Sequence, residues 1–393
     1  MRARVLWLAV VALPAGAVLP PGRADAAPRR PSVLFFLIDD LGWMDLHAQG
    51  NRKLHTPHVD RLATEGMRFT DAYAPAPVCS PTRAAILTGL SPARLAVTNH
   101  IPDRPAFTPK DAKLLPAATL DHLPPERVTI AERLKGAGYA TAFLGKWHLS
   151  GRGGRGGRGD PRFYPEKQGF DVNVGGCSYG GPPTYFDPYR IHNLESRREG
   201  EYLPDRLAGE AVKFLEAHRE EPFLLCLWTY TVHWPMEAPA PLIARYTGRE
   251  GPGLKDPRYA AMIEAMDAAV GRVLEGLDRL GLRERTLVIF TSDNGGYSGV
   301  ADNRPLRSGK GYLYEGGIRV PLIVRWPGVV KPGSVCSTPV VGTDFYPTIL
   351  EAAGLSPEKG APLDGESLMP LLRQSGPLER QAIYFHYPNY AWH

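Results

Sequence analysis

Four short apolar runs constrain the fold more than any other feature of this sequence. Val33–Ile38, Tyr139–Leu144, Phe223–Trp228 and Leu287–Thr291 are five or six residues long and apolar almost throughout rather than alternating. Runs of this kind read as strands buried on both faces. Between them lie segments with helical spacing. Ile263, Val270, Leu274 and Leu277 share one face of Tyr259–Leu280, and Leu207, Ala211, Phe214 and Leu215 share one face of Asp205–His218. Strands alternating with helices predict an α/β fold: a large, mainly parallel central sheet with helices on both faces. No internal repeat interrupts this order.

Composition narrows the class. With 43% hydrophobic and 22% charged residues over 393 positions, neither a disordered chain nor a multi-span membrane protein fits. The 42 glycines and 39 prolines mark a loop-rich chain without reaching low complexity. A net charge of +5 is mild at this length and gives no support to a nucleic-acid partner. Residues 1–26 read as a signal peptide: Arg2 and Arg4 precede the apolar run Val5 to Leu13, and Ala24-Asp25-Ala26 places cleavage before Ala27. That run is far shorter than the ~20 residues needed to span a bilayer, and no later stretch is apolar enough to do so. The expectation is an exported protein, secreted or periplasmic, with no membrane span.

Residues 27–326 read as the main α/β domain. From about Pro327 the pattern breaks into short proline-punctuated runs, ending in a candidate strand at Gln381–Tyr387. This stretch, 327–393, is expected to be a small C-terminal α+β subdomain, and its abrupt end at His393 reads as incomplete. Gly151–Gly159 (GRGGRGGRG) reads as a flexible, solvated loop, with a rim touching polyanions as the lesser alternative. The four cysteines are too few for a disulfide scaffold. Cys226 reads as a small buried hydrophobe, and whether Cys177 and Cys336 pair is open.

In open parallel sheets, ligands bind at the carboxyl ends of the strands. The first run ends in Asp39-Asp40, and the second is followed by Lys146 and His148. The third leads to His233 and the fourth into Asp293-Asn294. Each residue alone has a structural explanation: a helix cap, a surface charge, a core histidine. Their convergence on one edge argues for chemistry. Asp39, Asp40, Asp293 and Asn294 offer hard oxygen ligands, which suit Ca²⁺ or Mg²⁺ better than zinc. Three clustered carboxylates without a cation would raise one another's pKa. Ligand number favours Ca²⁺ over Mg²⁺.

The segment Cys79-Ser80-Pro81-Thr82-Arg83 is the most specific feature. Ser80 followed by Pro81 reads as a helix start, with Ser80 as the N-cap. Cys79 then sits just before a helix N-terminus, a setting that favours an anion, with Arg83 one turn in. A structural cysteine beside a capped helix is the plain alternative.

These motifs resemble the formylglycine-dependent (type I) sulfatases of the alkaline-phosphatase-like fold. Cys79-Ser80-Pro81-Thr82-Arg83 matches the Cys-x-Pro-x-Arg signature, followed by Leu87-Thr88-Gly89. The match continues through Asp39-Asp40, Gly145-Lys146-Trp147-His148, His233-Trp234-Pro235, Thr291-Ser292-Asp293-Asn294-Gly295 and Gly309-Lys310-Gly311. It also includes Tyr314-Glu315-Gly316-Gly317-Ile318-Arg319.

The resemblance implies that an exported formylglycine-generating or anaerobic maturation enzyme oxidises Cys79 to Cα-formylglycine, hydrated to a diol. It implies Ca²⁺ held by Asp39, Asp40, the converted Cys79, Asp293 and Asn294. It gives Asp293 the role of base for the attacking hydroxyl, and His233 with Lys310 that of stabilising or protonating the departing oxygen. His148 then deprotonates the second hydroxyl to expel sulfate, while Arg83 and Lys146 steady the developing negative charge. The implied substrate is a sulfate ester, on a carbohydrate or an aryl group. The alternatives are a phosphomonoester or phosphonate ester hydrolase of the same superfamily and a non-catalytic sulfated-glycan binder. Against the first stands Asn294, where those relatives typically carry histidine. Glu315 is expected to brace Lys310 or Arg319, and Tyr185 and His192 are open as cleft-lining residues.

Overall fold

The computed structural model describes Val5, Trp7 and residues 30–102, 108–152 and 158–390. The expected signal peptide, those two residues aside, and positions 153–157 of the glycine-arginine loop lie outside the described residues. The strands are β1 Ser32–Ile38, β2 Met67–Tyr73, β3 Ala140–Gly145, β4 Val172–Val174, β5 Phe223–Trp228, β6 Thr286–Ser292, β7 Arg319–Arg325, β8 Ser334–Cys336 and β9 Val340–Val341. They form one sheet in the order β4-β3-β5-β1-β6-β7-β2-β8, with β9 also on β2. Only β7, among the described strands, runs against its neighbours.

All four apolar runs are strands, within a residue of the expected bounds, and they are contiguous as β3-β5-β1-β6. Their register brings the carboxyl ends level: Leu37 pairs with Trp228 and Thr291, and Trp228 with Gly145. Side chains alternate across β1. Leu34, Phe36 and Ile38 enter one core with helices Leu203–Ala217 and Pro257–Arg279. Val33, Phe35 and Leu37 enter the other with helices Cys79–Thr88, Ile130–Gly136 and Phe345–Ala352. No helix among the described residues is long and apolar enough to cross a membrane.

Phe143 of β3 centres an aromatic cluster under the sheet's active edge. Its ring lies 5.1 Å from Trp147, 5.3 Å from Phe170 and 5.4 Å from Trp228, all edge-on. Such pairs add to what area burial supplies. Phe143→Ala is expected to destabilise the protein by about 3–5 kcal/mol, read as a lowered denaturant midpoint. An unchanged midpoint would mean that this cluster carries no stability.

The stretch 327–393, expected as a subdomain, contributes β8 and β9 to the edge of this same sheet. Its helix Phe345–Ala352 sits in the second core, with the Phe345 ring 5.3 Å from Phe35. The strand expected at Gln381–Tyr387 is absent. Side chains anchor this segment instead of a ladder: Arg380 binds Asp344 and the Tyr387 hydroxyl lies 3.1 Å from Asn99 Oδ1. All four cysteines are free, so Cys177 and Cys336 do not pair, and Cys226 is buried.

Candidate active site

Helix Cys79–Thr88 begins two residues earlier than Ser80-Pro81 suggests. Val78 is its N-cap and Cys79 its first residue, while Gly89 closes it in the left-handed conformation at φ 70°. Ser80 therefore makes no N-cap. Its hydroxyl is taken by the fold, donating to the His148 carbonyl at 3.1 Å and accepting from Ile101 N at 3.0 Å. Every residue of this helix is buried, which fixes Cys79 at the mouth of β1, β3 and β6 rather than on a surface.

The carboxylates converge as the strand ends require. One oxygen each from Asp39, Asp40 and Asp293 lies within 4.8 Å of the others, all buried. Each is paired with a cation. Lys146 Nζ donates to both Asp39 oxygens at 2.8 and 2.7 Å. Lys310 Nζ lies 2.8 Å from Asp40 Oδ2. Arg83 donates to Asp293 Oδ2 from Nε at 2.9 Å and from NH2 at 2.7 Å, and its NH2 lies 3.7 Å from Asp39. Glu315, by contrast, braces Arg319 at 3.2 Å and not Lys310.

Electrostatics separate these groups. Burial raises the Asp39 carboxyl well above the usual range, outweighing Lys146, with Asp293 and Asp40 adding to the rise. Burial acts on Asp40 too, but Lys310, His233 and Lys146 together hold it below its ordinary value. Burial and then Lys146 push His148 well below the ordinary imidazole value. Burial and then Lys310 do the same to His233. Burial raises the Cys79 thiol, so the unmodified side chain is a poor thiolate nucleophile.

The two histidines are oriented by neighbours. His148 sits in the left-handed region at φ 60°, its N–H donating to the Cys177 carbonyl at 2.9 Å. Its Nε2 is bonded to the Ile101 carbonyl, an acceptor, so Nε2 carries the proton. Nδ1 is then the free base, 3.2 Å from the Cys79 sulfur. His233 Nδ1 lies 2.9 Å from the Trp234 carbonyl, and its Nε2 points to Asp40 Oδ2 at 3.8 Å.

Do these residues fit a hard divalent ion? Asn294 answers most directly. Its Nδ2 donates to Asp40 Oδ1 at 2.8 Å, while its Oδ1 is buried without a hydrogen-bond partner. A buried amide oxygen beside three carboxylates is the donor set that Ca²⁺ and Mg²⁺ prefer.

The structure brings Asp39, Asp40, Cys79, Arg83, Lys146, His148, His233, Asp293, Asn294 and Lys310 to one rim. The side chains and backbone that support them carry no sequence motif. Asp40 also takes a left-handed backbone, at φ 59°, and is pinned by its N–H to Asp293 Oδ1 at 3.1 Å. Tyr259, on the long helix Pro257–Arg279, donates to the Asp40 carbonyl at 3.0 Å, and its hydroxyl lies 2.5 Å from Asp45 Oδ2. Asp45 is lifted to about 6 by burial. On sequence, Tyr259 is indistinguishable from the helix's other core residues.

A mostly parallel sheet whose adjacent strand ends gather acids, bases and a helix-borne cysteine is the frame of an α/β enzyme with its site at the carboxyl edge, and the likenesses below place it in the alkaline-phosphatase-like superfamily. A solved structure, Ps i-CgsB in complex with k-i-k-neocarrahexaose, superposes with a TM-score of 0.76 at 31% identity, covering 89% of this chain and 77% of that one. The family model for Sulfatase matches residues 31–355, and the chain belongs to the sulfatase family. It is 35% identical to mouse (Mus musculus) steryl-sulfatase, over 99% of this chain and 73% of that protein. It is likewise 35% identical to human (Homo sapiens) arylsulfatase A, over 93% and 72% respectively. The protein is a sulfuric ester hydrolase.

Proposed function

We propose that this sulfatase works through a Cα-formylglycine made from Cys79 and a Ca²⁺ ion held by Asp39, Asp40, Asp293 and Asn294. The observation that carries this reading is the buried Cys79 side chain, 3.2 Å from His148 Nδ1, on the rim that also gathers three carboxylates within 4.8 Å. Conversion replaces a soft sulfur by hard hydroxyl oxygens, and the ion supplies Lewis-acid polarisation of a sulfate oxygen.

The chain's own residues do the rest. Asp293, steadied by two Arg83 bonds, is the base for the attacking hydroxyl's proton. Lys310, which burial opposes but Asp40 keeps charged, donates to the departing oxygen, with His233 Nε2 beside it. His148 Nδ1, neutral and aimed at position 79, takes the proton whose loss frees sulfate. Lys146 and Arg83 oppose the negative charge that develops on the sulfuryl oxygens.

The three cations balance the three carboxylates. A divalent ion therefore leaves the site with a positive excess, which selects an anionic ester. A sulfated carbohydrate is the proposed natural substrate; the likeness to Ps i-CgsB, solved with k-i-k-neocarrahexaose, supports it. Export by the 1–26 signal and maturation by an exported enzyme complete the proposal. A panel of sulfated glycans, an aryl sulfate and the matching aryl phosphate tests it. The expected result is release of sulfate with little phosphate turnover; a clear preference for phosphate would overturn the assignment, and glycan binding without release would favour the non-catalytic alternative.

A further inference from the structure

An irregular segment, Cys177 to Tyr185, crosses the site between the two imidazoles. Its backbone touches both. A Cβ on Gly180 would lie 2.8 Å from both Cε1 and Nε2 of His148. A Cβ on Gly181 would lie 2.7 Å from His233 Nδ1 and 2.7 Å from the Trp234 carbonyl that orients it. Neither glycine has the positive φ that would itself demand glycine, so close approach to the rings is the remaining reason for both.

The segment is tied at each end to the same histidines. The Cys177 carbonyl accepts the His148 backbone N–H at 2.9 Å. At the far end, Glu237 Oε2 accepts from the Thr184 hydroxyl and the Tyr185 N–H, both at 2.8 Å. The buried Tyr185 hydroxyl reaches the His233 carbonyl at 2.9 Å. His148 is also held on its other sides: its Nε2 is bonded to the Ile101 carbonyl and its Nδ1 faces Cys79 and Ser80, so a ring pushed by a Cβ at Gly180 loses these contacts.

We propose that Cys177–Tyr185 is a positioning strap for the reaction, in which Gly180 sets the His148 ring and Gly181 sets the His233 ring. The assignment rests on the roles given above to those two histidines. A side chain at either glycine displaces one ring and spares the other. A misplacement of about 1 Å in a proton-transferring group costs on the order of 100-fold in rate.

Two measurements on the matured enzyme test this. Selective ¹⁵N labelling of histidine, with signals assigned through His148→Ala and His233→Ala, reports ring positions without turnover. Gly180→Ala is expected to shift only the His148 ring nitrogens, and Gly181→Ala only those of His233. Gly136→Ala, where a Cβ meets nothing within 4 Å, should shift neither.

Kinetics then separate the steps. Gly181→Ala is expected to lose about 100-fold on esters of poor leaving groups and less than about 3-fold on 4-nitrophenyl sulfate. Gly180→Ala is expected to lose a similar factor on both kinds of ester. Rings that stay in place, or that move together in either variant, overturn the strap alone. If the rings move as expected but His233→Ala leaves the leaving-group dependence unchanged, the role given to His233 fails, and with it the strap's part in the reaction.

Discussion

Cys79→Ala is expected to abolish turnover of every sulfate ester while leaving the fold intact. The alanine keeps the first turn of helix Cys79–Thr88, whose backbone is fixed by burial along its whole length and not by the sulfur. What it removes is the side chain from which, on the proposed mechanism, the nucleophile is made. Removing a nucleophile typically leaves only binding and electrostatic stabilisation, a loss on the order of 10⁴-fold or more. Circular dichroism should be unchanged, and mass spectrometry of the wild-type peptide spanning Cys79 should show an aldehyde in place of the thiol. A wild-type preparation with an intact thiol and full activity would overturn the mechanism. The raised thiol pKa argues in the same direction, because at neutral pH the unmodified side chain is protonated and weakly nucleophilic.

The second large effect concerns the cation. Chelation is expected to cost activity by about 10³-fold, the equivalent of several kcal/mol of lost charge stabilisation, with recovery on adding Ca²⁺. Stability supplies a readout that does not depend on turnover. A ligand present at 100 times its Kd stabilises the folded state by about 2.7 kcal/mol, so Ca²⁺ should raise the Tm of the wild type. Asp40→Asn should remove that shift. The same variant leaves the Lys310 ammonium, buried beside Asp40 at 2.8 Å, without its anion. Breaking a buried pair from one side costs about 3–5 kcal/mol, so Asp40→Asn should also unfold at lower denaturant. A wild-type Tm indifferent to Ca²⁺ and Mg²⁺ alike would remove the metal from the proposal.

Legibility in the sequence followed locality. The four inner strands were readable because burial on both faces makes them continuously apolar. Asp39, Asp40, Lys146, His148, His233, Asp293 and Asn294 were readable because each follows such a run's end within a few positions, whereas Cys79 and Arg83 were visible through their own motif and Lys310 only through the family resemblance. β7 escaped because Pro321 sits inside it, and proline argues against a strand in the middle of a sheet. β2 escaped because Arg68, Thr70 and Asp71 break its apolar pattern. Ser80 shows the limit most clearly. Followed by Pro81 it makes a helix start visible, yet its hydroxyl caps nothing and serves His148 and Ile101, which lie 68 and 21 residues away. Tyr259, Gly180 and Gly181 act through contacts of the same long-range kind, and no local pattern announces them.

The depth of the helix Cys79–Thr88 fixes an order of events in the life of the chain. Cys79 is 2% exposed and its sulfur faces inward to His148, so in the finished molecule no second protein can reach it. On the proposed maturation, the exported enzyme that converts this residue has to meet it before the helix docks. Protein made in a host without that machinery would then stay inert for good, however well folded, and adding the maturation enzyme afterwards would rescue only the fraction that had been unfolded first.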